Sequence, residues 1–228
     1  MRLYLAVGTL ALVGVPSAFG AGLGLCNTGV TGTCAGTNGV GTGLATQGGP
    51  ESHWILAAGS AVVPTNAVIP GSWVSNASST ASQWISPTLG TNAAGGVQYS
   101  YSINFNIPLG ANLSTAIIAG RYLSDNETVN VFLNSTVVSP FPLNGTPSGF
   151  QQWTSFTISP GNGVFVPLAN SLRFVVQNGG SFNPQGLRVE FFESSVSDAP
   201  EPGTLLMGGI GLVGIGLARL RRWRRRAG

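Results

Sequence analysis

The 228-residue sequence predicts an all-β domain, an antiparallel β-sandwich or jelly roll, flanked by an N-terminal signal peptide and a C-terminal transmembrane helix. Two observations predict this fold class. Short runs rich in β-branched and aromatic residues recur between turn sequences, and no run has the period of a convincing amphipathic helix. Because parallel strands need long crossover connections, usually helices, we expect the strands to pair antiparallel.

The clearest strand spans residues 99–107, where apolar and polar side chains alternate. A period of two is typical of a strand with one buried face. Further strands are expected at Ser114 to Arg121, Val129 to Leu133, Phe150 to Ile158, Leu172 to Gln177 and Leu187 to Phe192. Residues 21–50 are rich in glycine and threonine and lack a sustained period, so we expect an extended first strand and a long surface loop there.

The N-terminus has the three parts of a secretory signal peptide. Met1-Arg2 is a short basic region, Leu3 to Val15 is apolar, and Pro16 to Gly20 is a small-residue exit. We therefore expect residues 1–20 to direct export through the Sec machinery and to be removed after Gly20.

The C-terminus combines a short motif, an apolar run and a basic end. Pro200-Glu201-Pro202 precedes an uncharged run of 16 residues from Gly203 to Ala218. At ~1.5 Å per residue a helix of this length only just reaches across a bilayer core of ~30 Å. The run is followed by Arg219, Arg221, Arg222, Arg224, Arg225 and Arg226. The positive-inside rule places this tail in the cytoplasm and the preceding chain outside.

This order of parts in residues 200–228 resembles the PEP-CTERM sorting signal of Gram-negative bacterial surface proteins. The resemblance implies a transient inner-membrane anchor with a cytoplasmic arginine tail. It also implies recognition by an exosortase-like transpeptidase or protease, and delivery to the cell surface or the extracellular space. An ordinary C-terminal membrane anchor is the alternative interpretation. Residues 193–199 are polar, and we expect them to form a linker ahead of the signal.

The basic character of the chain belongs to this tail alone. The whole chain has a formal net charge of +3. Between residues 21 and 199, however, three arginines face six acidic residues, and the expected mature region is mildly acidic. The composition therefore gives no support for nucleic-acid binding.

Two cysteines lie in the glycine- and threonine-rich segment. Cys26 and Cys34 enclose seven residues, which excludes a redox Cys-x-x-Cys motif, and they lack the further ligands of a zinc site. Because the chain is expected to be exported, we predict a disulfide between them that stabilises the domain by ~2 to 3 kcal/mol.

The body of the chain, residues 21–192, contains a series of short landmarks between residues 52 and 192. They are Ser52 to Leu56, Gly71 to Ser75, Ser82 to Pro87, Gly120 to Tyr122, Asp125-Asn126, Val131 to Asn134, Leu172 to Asn178 and Gly186 to Val189. Together these landmarks resemble the galactose-binding-like jelly roll found in many PEP-CTERM proteins. The resemblance covers roughly residues 52–192, and no family-specific active residues carry over.

The sequence offers few groups for catalysis, and we predict that the protein is not an enzyme. His53 is the sole histidine, and no Gly-x-Ser-x-Gly elbow presents a serine to it. Glu190 is expected on the outer face of its strand, because its parity opposes that of the apolar residues. Asp125 and Glu127 are expected to cap a turn. No metal centre is predicted, although a structural calcium ion held by oxygens of residues 125–127 is left open.

The leading hypothesis is a non-enzymatic surface or extracellular-matrix protein, and the alternative is a carbohydrate-binding module for exopolysaccharide. Sugars stack on aromatic rings while polar side chains bind their hydroxyl groups. The residue types suited to this role are found in Trp54, Trp73, Trp84, Arg121, Asp125 and Asn126. The competing interpretation is that the aromatic residues fill the core.

Overall fold

The computed structural model describes residues 20–57, 59–145 and 148–198. In chain order the strands of this part are β1 Ala21–Gly22, β2 Val30–Thr31, β3 Gly43–Leu44, β4 Pro50–Leu56, β5 Gly59–Val62, β6 Asn92–Ala93, β7 Gln98–Ile107, β8 Ala111–Asp125, β9 Glu127–Leu133, β10 Thr136–Val137, β11 Thr154–Ile158, β12 Leu168–Gln177, β13 Asn183–Pro184 and β14 Gly186–Asp198. Two short 3-10 helices span Asn76–Ser78 and Ser148–Phe150. The prediction of a mostly β chain is confirmed for the described residues.

Two antiparallel sheets form the domain. The four-stranded sheet has the order β1-β14-β8-β11, and the six-stranded sheet has the order β10-β9-β12-β7-β4-β5. The pairs β2-β3 and β6-β13 form small two-stranded sheets. The chain passes from one large sheet to the other at Asn126, the single residue between β8 and β9. The predicted antiparallel pairing is therefore confirmed.

The core lies between the two large sheets and follows from the alternation of the sequence. On β7, Tyr101 and Ile103 are buried, and they pair with the buried Phe174 and Leu172 of β12. From the other sheet, Tyr122 of β8 brings its ring to 5.4 Å from that of Phe174, centroid to centroid. Aromatic pairs at such distances stabilise a core by ~0.5 to 1.5 kcal/mol beyond their buried area.

The N-terminal segment is part of the core, and the predicted long surface loop is wrong for much of it. Leu23, Leu25 and Val30 are buried. Cys26 and Cys34 form the predicted disulfide, with Cα atoms 5.4 Å apart. The segment shows no period because its polar groups bond across the fold rather than along a long ladder; the Trp54 indole, for example, donates to the Cys26 carbonyl over 3.0 Å.

The last strand is longer than the sequence predicts. β14 continues through Asp198, which pairs with Ala111, and Val196 is buried. Residues 193–198 are therefore strand rather than linker. Their small hydroxyl side chains and two register shifts hide the period of two. On its other side Val196 pairs with Ala21, so the N-terminal and C-terminal strands of the domain meet at one end of the four-stranded sheet.

A long connection between β5 and β6 covers the outer face of the four-stranded sheet. It provides Trp73 and Trp84, whose ring centroids lie 4.2 Å apart. They pack on Leu123 of β8, with Phe150 and Trp153 at the margin. This second apolar cluster buries side chains that the parity of the strands would leave in solvent. Within the described residues no helix has the length and apolar character needed to cross a membrane.

Candidate functional site

The three tryptophans that the alternative hypothesis names for sugar binding lie inside the domain. Trp54, Trp73 and Trp84 are 2%, 5% and 0% exposed. Trp54 packs between the large sheets, with its ring 6.0 Å from that of Phe174. The Trp84 indole donates to the Val74 carbonyl over 2.7 Å. Their ring faces are covered by protein, as expected if the aromatic residues fill the core.

Asp125 and Asn126 also make internal contacts. The Trp73 indole donates to Asp125 Oδ2 over 2.7 Å, and the Gly179 amide donates to Asn126 Oδ1. Asp125 is 5% exposed, and its Oδ1 atom is buried without a hydrogen-bond partner. Burial raises the pKa of Asp125 to about 6, against the opposing effect of the Trp73 hydrogen bond. Asp125 thus lies buried at the end of its strand. The expectation that it caps a turn in solvent is wrong.

Groups for a metal centre are sparse. Three or more histidine, cysteine or acidic side chains do not lie together anywhere in the described part of the chain. Asp125 and Asn126 each use one side-chain oxygen on a protein donor, as described above. Calcium binding by residues 125–127 therefore stays a prediction.

Glu190 lies on the predicted outer face of its strand, but there it is part of a buried ionic cluster. Arg121 donates to Glu190 Oε2 through Nε and Nη2, over 2.8 and 2.6 Å. Ser82 donates to Glu190 Oε1 over 2.8 Å and accepts from Arg188 Nε over 2.7 Å. Glu190 has the outward parity that the sequence predicts, but the connection carrying Ser82 covers it.

Hydrogen bonds and opposite charges within this cluster favour the ionised forms of its side chains. Burial raises the pKa of Glu190, but hydrogen bonds from Ser79, Ser82 and Arg121 outweigh it and hold the pKa below its usual range. Burial lowers the pKa of the fully buried Arg188 to about 10, although Glu190 opposes the shift. Because the Arg121 guanidinium group donates two hydrogen bonds to Glu190, the contacts of Arg121 are those of a structural ion pair.

His53 lies beside a serine and an acid without forming a catalytic triad. Its Nδ1 atom is 3.0 Å from Ser52 Oγ and 3.7 Å from Glu51 Oε1, while its Nε2 atom is 2.8 Å from the Gly32 carbonyl. A triad needs the serine and the acid on opposite ring nitrogens. Both Glu51 oxygens also accept backbone N–H groups, from His53 and Gly29. This arrangement ties β4 to the two glycines that flank β2.

A polar groove lies on the outer face of the six-stranded sheet, the face that points away from the core. It has a cavity volume of about 370 Å³. Its lining residues are Asn104, Phe105, Asn106, Asn134, Ala169, Asn170 and Ser171. Asn134 and Asn170 form its floor, because Asn134 Nδ2 donates to Asn170 Oδ1 over 3.0 Å and both amides also bond to the backbone.

The exposed lining residues of the groove are Asn104 and Asn106 of β7 and Ala169 of β12. Next to it on β12 lies Arg173, whose guanidinium carbon is 4.2 Å from the centroid of the Phe132 ring. Sequence reasoning did not single out these residues. The one available signal was the outward parity of Asn104, Asn106 and Arg173 in strands whose inward-facing residues are mostly apolar.

The C-terminal part of the chain matches a known family of sequence motifs. Residues 198–222 match the family description of the PEP-CTERM protein-sorting motif. The C-terminus carries a PEP-CTERM sorting motif. This motif implies an exported protein that is sorted to the cell surface and processed by an exosortase. The matched region begins at Asp198, the last residue of β14. The predicted Pro200-Glu201-Pro202 motif, the helix at 203–218 and the arginine tail lie outside the described residues.

Beyond the sorting motif, a solved structure is distantly similar to this chain. No curated protein matches the sequence. Among solved structures, an isomalto-dextranase of Arthrobacter globiformis T6 complexed with panose is similar at 13% identity with a TM-score of 0.31. The similarity covers 62% of this chain and 22% of that chain.

Proposed function

We propose that this chain is a non-enzymatic surface or matrix protein, exported by the Sec machinery and anchored transiently in the inner membrane for an exosortase-like transpeptidase or protease. The observation that carries this proposal is the sorting motif at residues 198–222, directly after the last strand. The arginine tail would remain in the cytoplasm while the folded domain lies outside. The domain itself is proposed to be a galactose-binding-like jelly roll.

The ends of the domain support this order of events. Ala21 pairs with Val196, so the residue after the proposed signal-peptide cleavage lies beside the residues that lead into the sorting motif. Four residues lie between Asp198 and Gly203. The five Cα–Cα steps from Asp198 to Gly203 span at most about 18 Å when fully extended. The proposed anchor would therefore hold the domain close to the membrane until processing releases it.

Replacing Pro200, Glu201 and Pro202 together by alanine tests the sorting proposal. We expect the variant to retain its C-terminal sorting signal uncleaved and to stay in the inner-membrane fraction, because the processing enzyme no longer recognises it. Intact mass and cell fractionation measure both effects. Pro160→Ala, in an exposed turn, is the matched control and should be processed normally. Normal processing and surface delivery of the triple variant would disprove the proposal.

A second candidate function is carbohydrate binding on an exopolysaccharide. The observation that favours it is the polar groove of about 370 Å³ on the six-stranded sheet. Exposed amide side chains can both donate to and accept from sugar hydroxyl groups. In this candidate function the sugar binds to the groove rather than to the tryptophans, which are buried elsewhere in the domain.

A further inference from the structure

We propose that the outer face of the six-stranded sheet binds a carboxylate-bearing polysaccharide, with Arg173 holding the carboxylate and Asn104 and Asn106 contacting hydroxyl groups. The inference rests on the second candidate function, carbohydrate binding, and names its ligand class and its selectivity residue. It is independent of the sorting motif.

Arg173 differs from the other arginines of the described chain. Arg121 and Arg188 both lie near Glu190, at 2.6 and 3.8 Å. The guanidinium group of Arg173 makes no hydrogen bond or ion pair with any described residue, and its Nε atom is buried without an acceptor. The two Nη groups of Arg173 also lack a partner among the described residues but are not buried, so a bound anion can supply their acceptors.

The guanidinium group of Arg173 is held in a fixed orientation. It stacks on the Phe132 ring at 4.2 Å, and Phe132 is its register partner on β9. Stacking covers a face of the guanidinium plane, and because Nε is buried, the edge formed by the two Nη groups is left to bind. A planar fork of N–H groups matches the two oxygens of a carboxylate.

The register of the strands places the groove next to this arginine. Arg173 lies opposite Ser102 of β7, and Ser171 lies opposite Asn104. Residues two apart on a strand share a face and are ~7 Å apart. An extended ligand can therefore contact Arg173 and the exposed amide of Asn104 at once, with Asn106 two residues further along.

A polysaccharide fits this surface better than an acidic peptide. Extended peptides usually bind by adding a strand to a sheet edge, where backbone groups are unpaired. Here the candidate residues lie on β7 and β12, which are interior strands with partners on both sides. The surface offers side-chain amides, hydroxyls and one cation instead, a set suited to hydroxyl and carboxylate groups.

The test uses the full-length purified protein in detergent and measures binding by isothermal titration calorimetry. The probes are polygalacturonate, neutral dextran of similar length, and poly-L-glutamate. We expect polygalacturonate to bind at least tenfold more tightly than either other probe. Arg173→Gln should weaken that binding about tenfold or more, and Arg173→Lys should recover only part of it. Joint replacement of Asn104 and Asn106 by alanine should weaken it several-fold.

Two control variants separate local from general effects. Thr157→Glu also lowers the net charge by one, but on the exposed surface of the four-stranded sheet, and Asn92→Ala removes an exposed amide elsewhere. Both should bind polygalacturonate within about twofold of the unmodified protein. Equal loss in Thr157→Glu and Arg173→Gln would show a general charge effect and overturn the proposal.

The remaining outcomes distinguish the two levels of inference. Equal binding of dextran and polygalacturonate, unaffected by Arg173→Gln, would overturn the carboxylate site but keep carbohydrate binding. Binding to neither polysaccharide would overturn both. Equal binding of poly-L-glutamate would overturn the ligand class. If Arg173→Gln fails to fold, as judged by its melting transition, unchanged binding by Arg173→Lys would overturn the role of the guanidinium fork.

Discussion

The buried carboxyl group of Asp125 makes the stability of this domain depend on pH in an unusual direction. Its pKa is raised from 3.8 to about 6 by burial. The folded protein therefore holds a proton that the unfolded chain releases between about pH 4 and 6. The free energy of unfolding gains a contribution that is fully present below about pH 3.8 and is lost as the pH rises through about 6. A shift of about two pKa units corresponds to ~3 kcal/mol.

Asp125→Asn isolates this contribution. Asparagine does not titrate and keeps an oxygen that can accept the Trp73 N–H group, which bonds to Asp125 Oδ2 over 2.7 Å. The free energy of unfolding of the unmodified protein, minus that of the variant, should fall by ~3 kcal/mol between about pH 3.5 and 7. Chemical denaturation of the purified full-length protein, followed by tryptophan fluorescence at several pH values, measures the difference.

The control for this experiment is Glu193→Gln, which removes an exposed carboxylate from the neighbouring strand. Its difference from the unmodified protein should change by much less over the same range. A difference for Asp125→Asn that is constant with pH would show that the Asp125 carboxyl has an ordinary pKa in the folded protein. A difference that rises with pH would show that the sign of the argument is wrong.

Two further predictions concern stability. Glu190→Ala should lower the free energy of unfolding by ~3 to 5 kcal/mol, because it leaves the buried Arg188 without its carboxylate; chemical denaturation checks this, and Glu193→Ala, which alters an exposed position, should cost far less. Replacing Cys26 and Cys34 together by alanine should lower it by ~2 to 3 kcal/mol through loss of the disulfide. Reducing agent should then destabilise the unmodified protein and leave the double variant unchanged.

Local patterns in the sequence were sufficient to predict a strand where one of its faces is buried and the other is exposed to solvent. β7 was predicted almost residue for residue, because Tyr101, Ile103 and Phe105 point into the core and alternate with polar residues. The disulfide was also predictable, since export and a short spacing left few other roles for the two cysteines. The sorting motif is a linear signal, and its residues are recognised by their order along the chain.

Other features depended on contacts between distant segments. Parity placed Glu190 on the correct face of β14, but no local pattern indicates that Ser82, 108 residues earlier, would cover that face. For the same reason Trp73 and Trp84 could not be assigned to the surface or the interior. Residues 193–198 looked like a polar linker because the strand that pairs with them begins at Ala111, far away in the sequence.

The sequence by itself determined the targeting of this protein and the β character of its domain, because targeting signals and strand periodicity are both properties of short stretches of chain. Only the tertiary structure decided which polar groups are free to bind a ligand. Arg121 and Arg188 are occupied by Glu190, whereas the Arg173 side chain has no hydrogen-bonding or ionic partner among the described residues and lies beside a groove of amide side chains. That distinction arises from strand register and sheet packing, which bring together residues that are far apart in the chain.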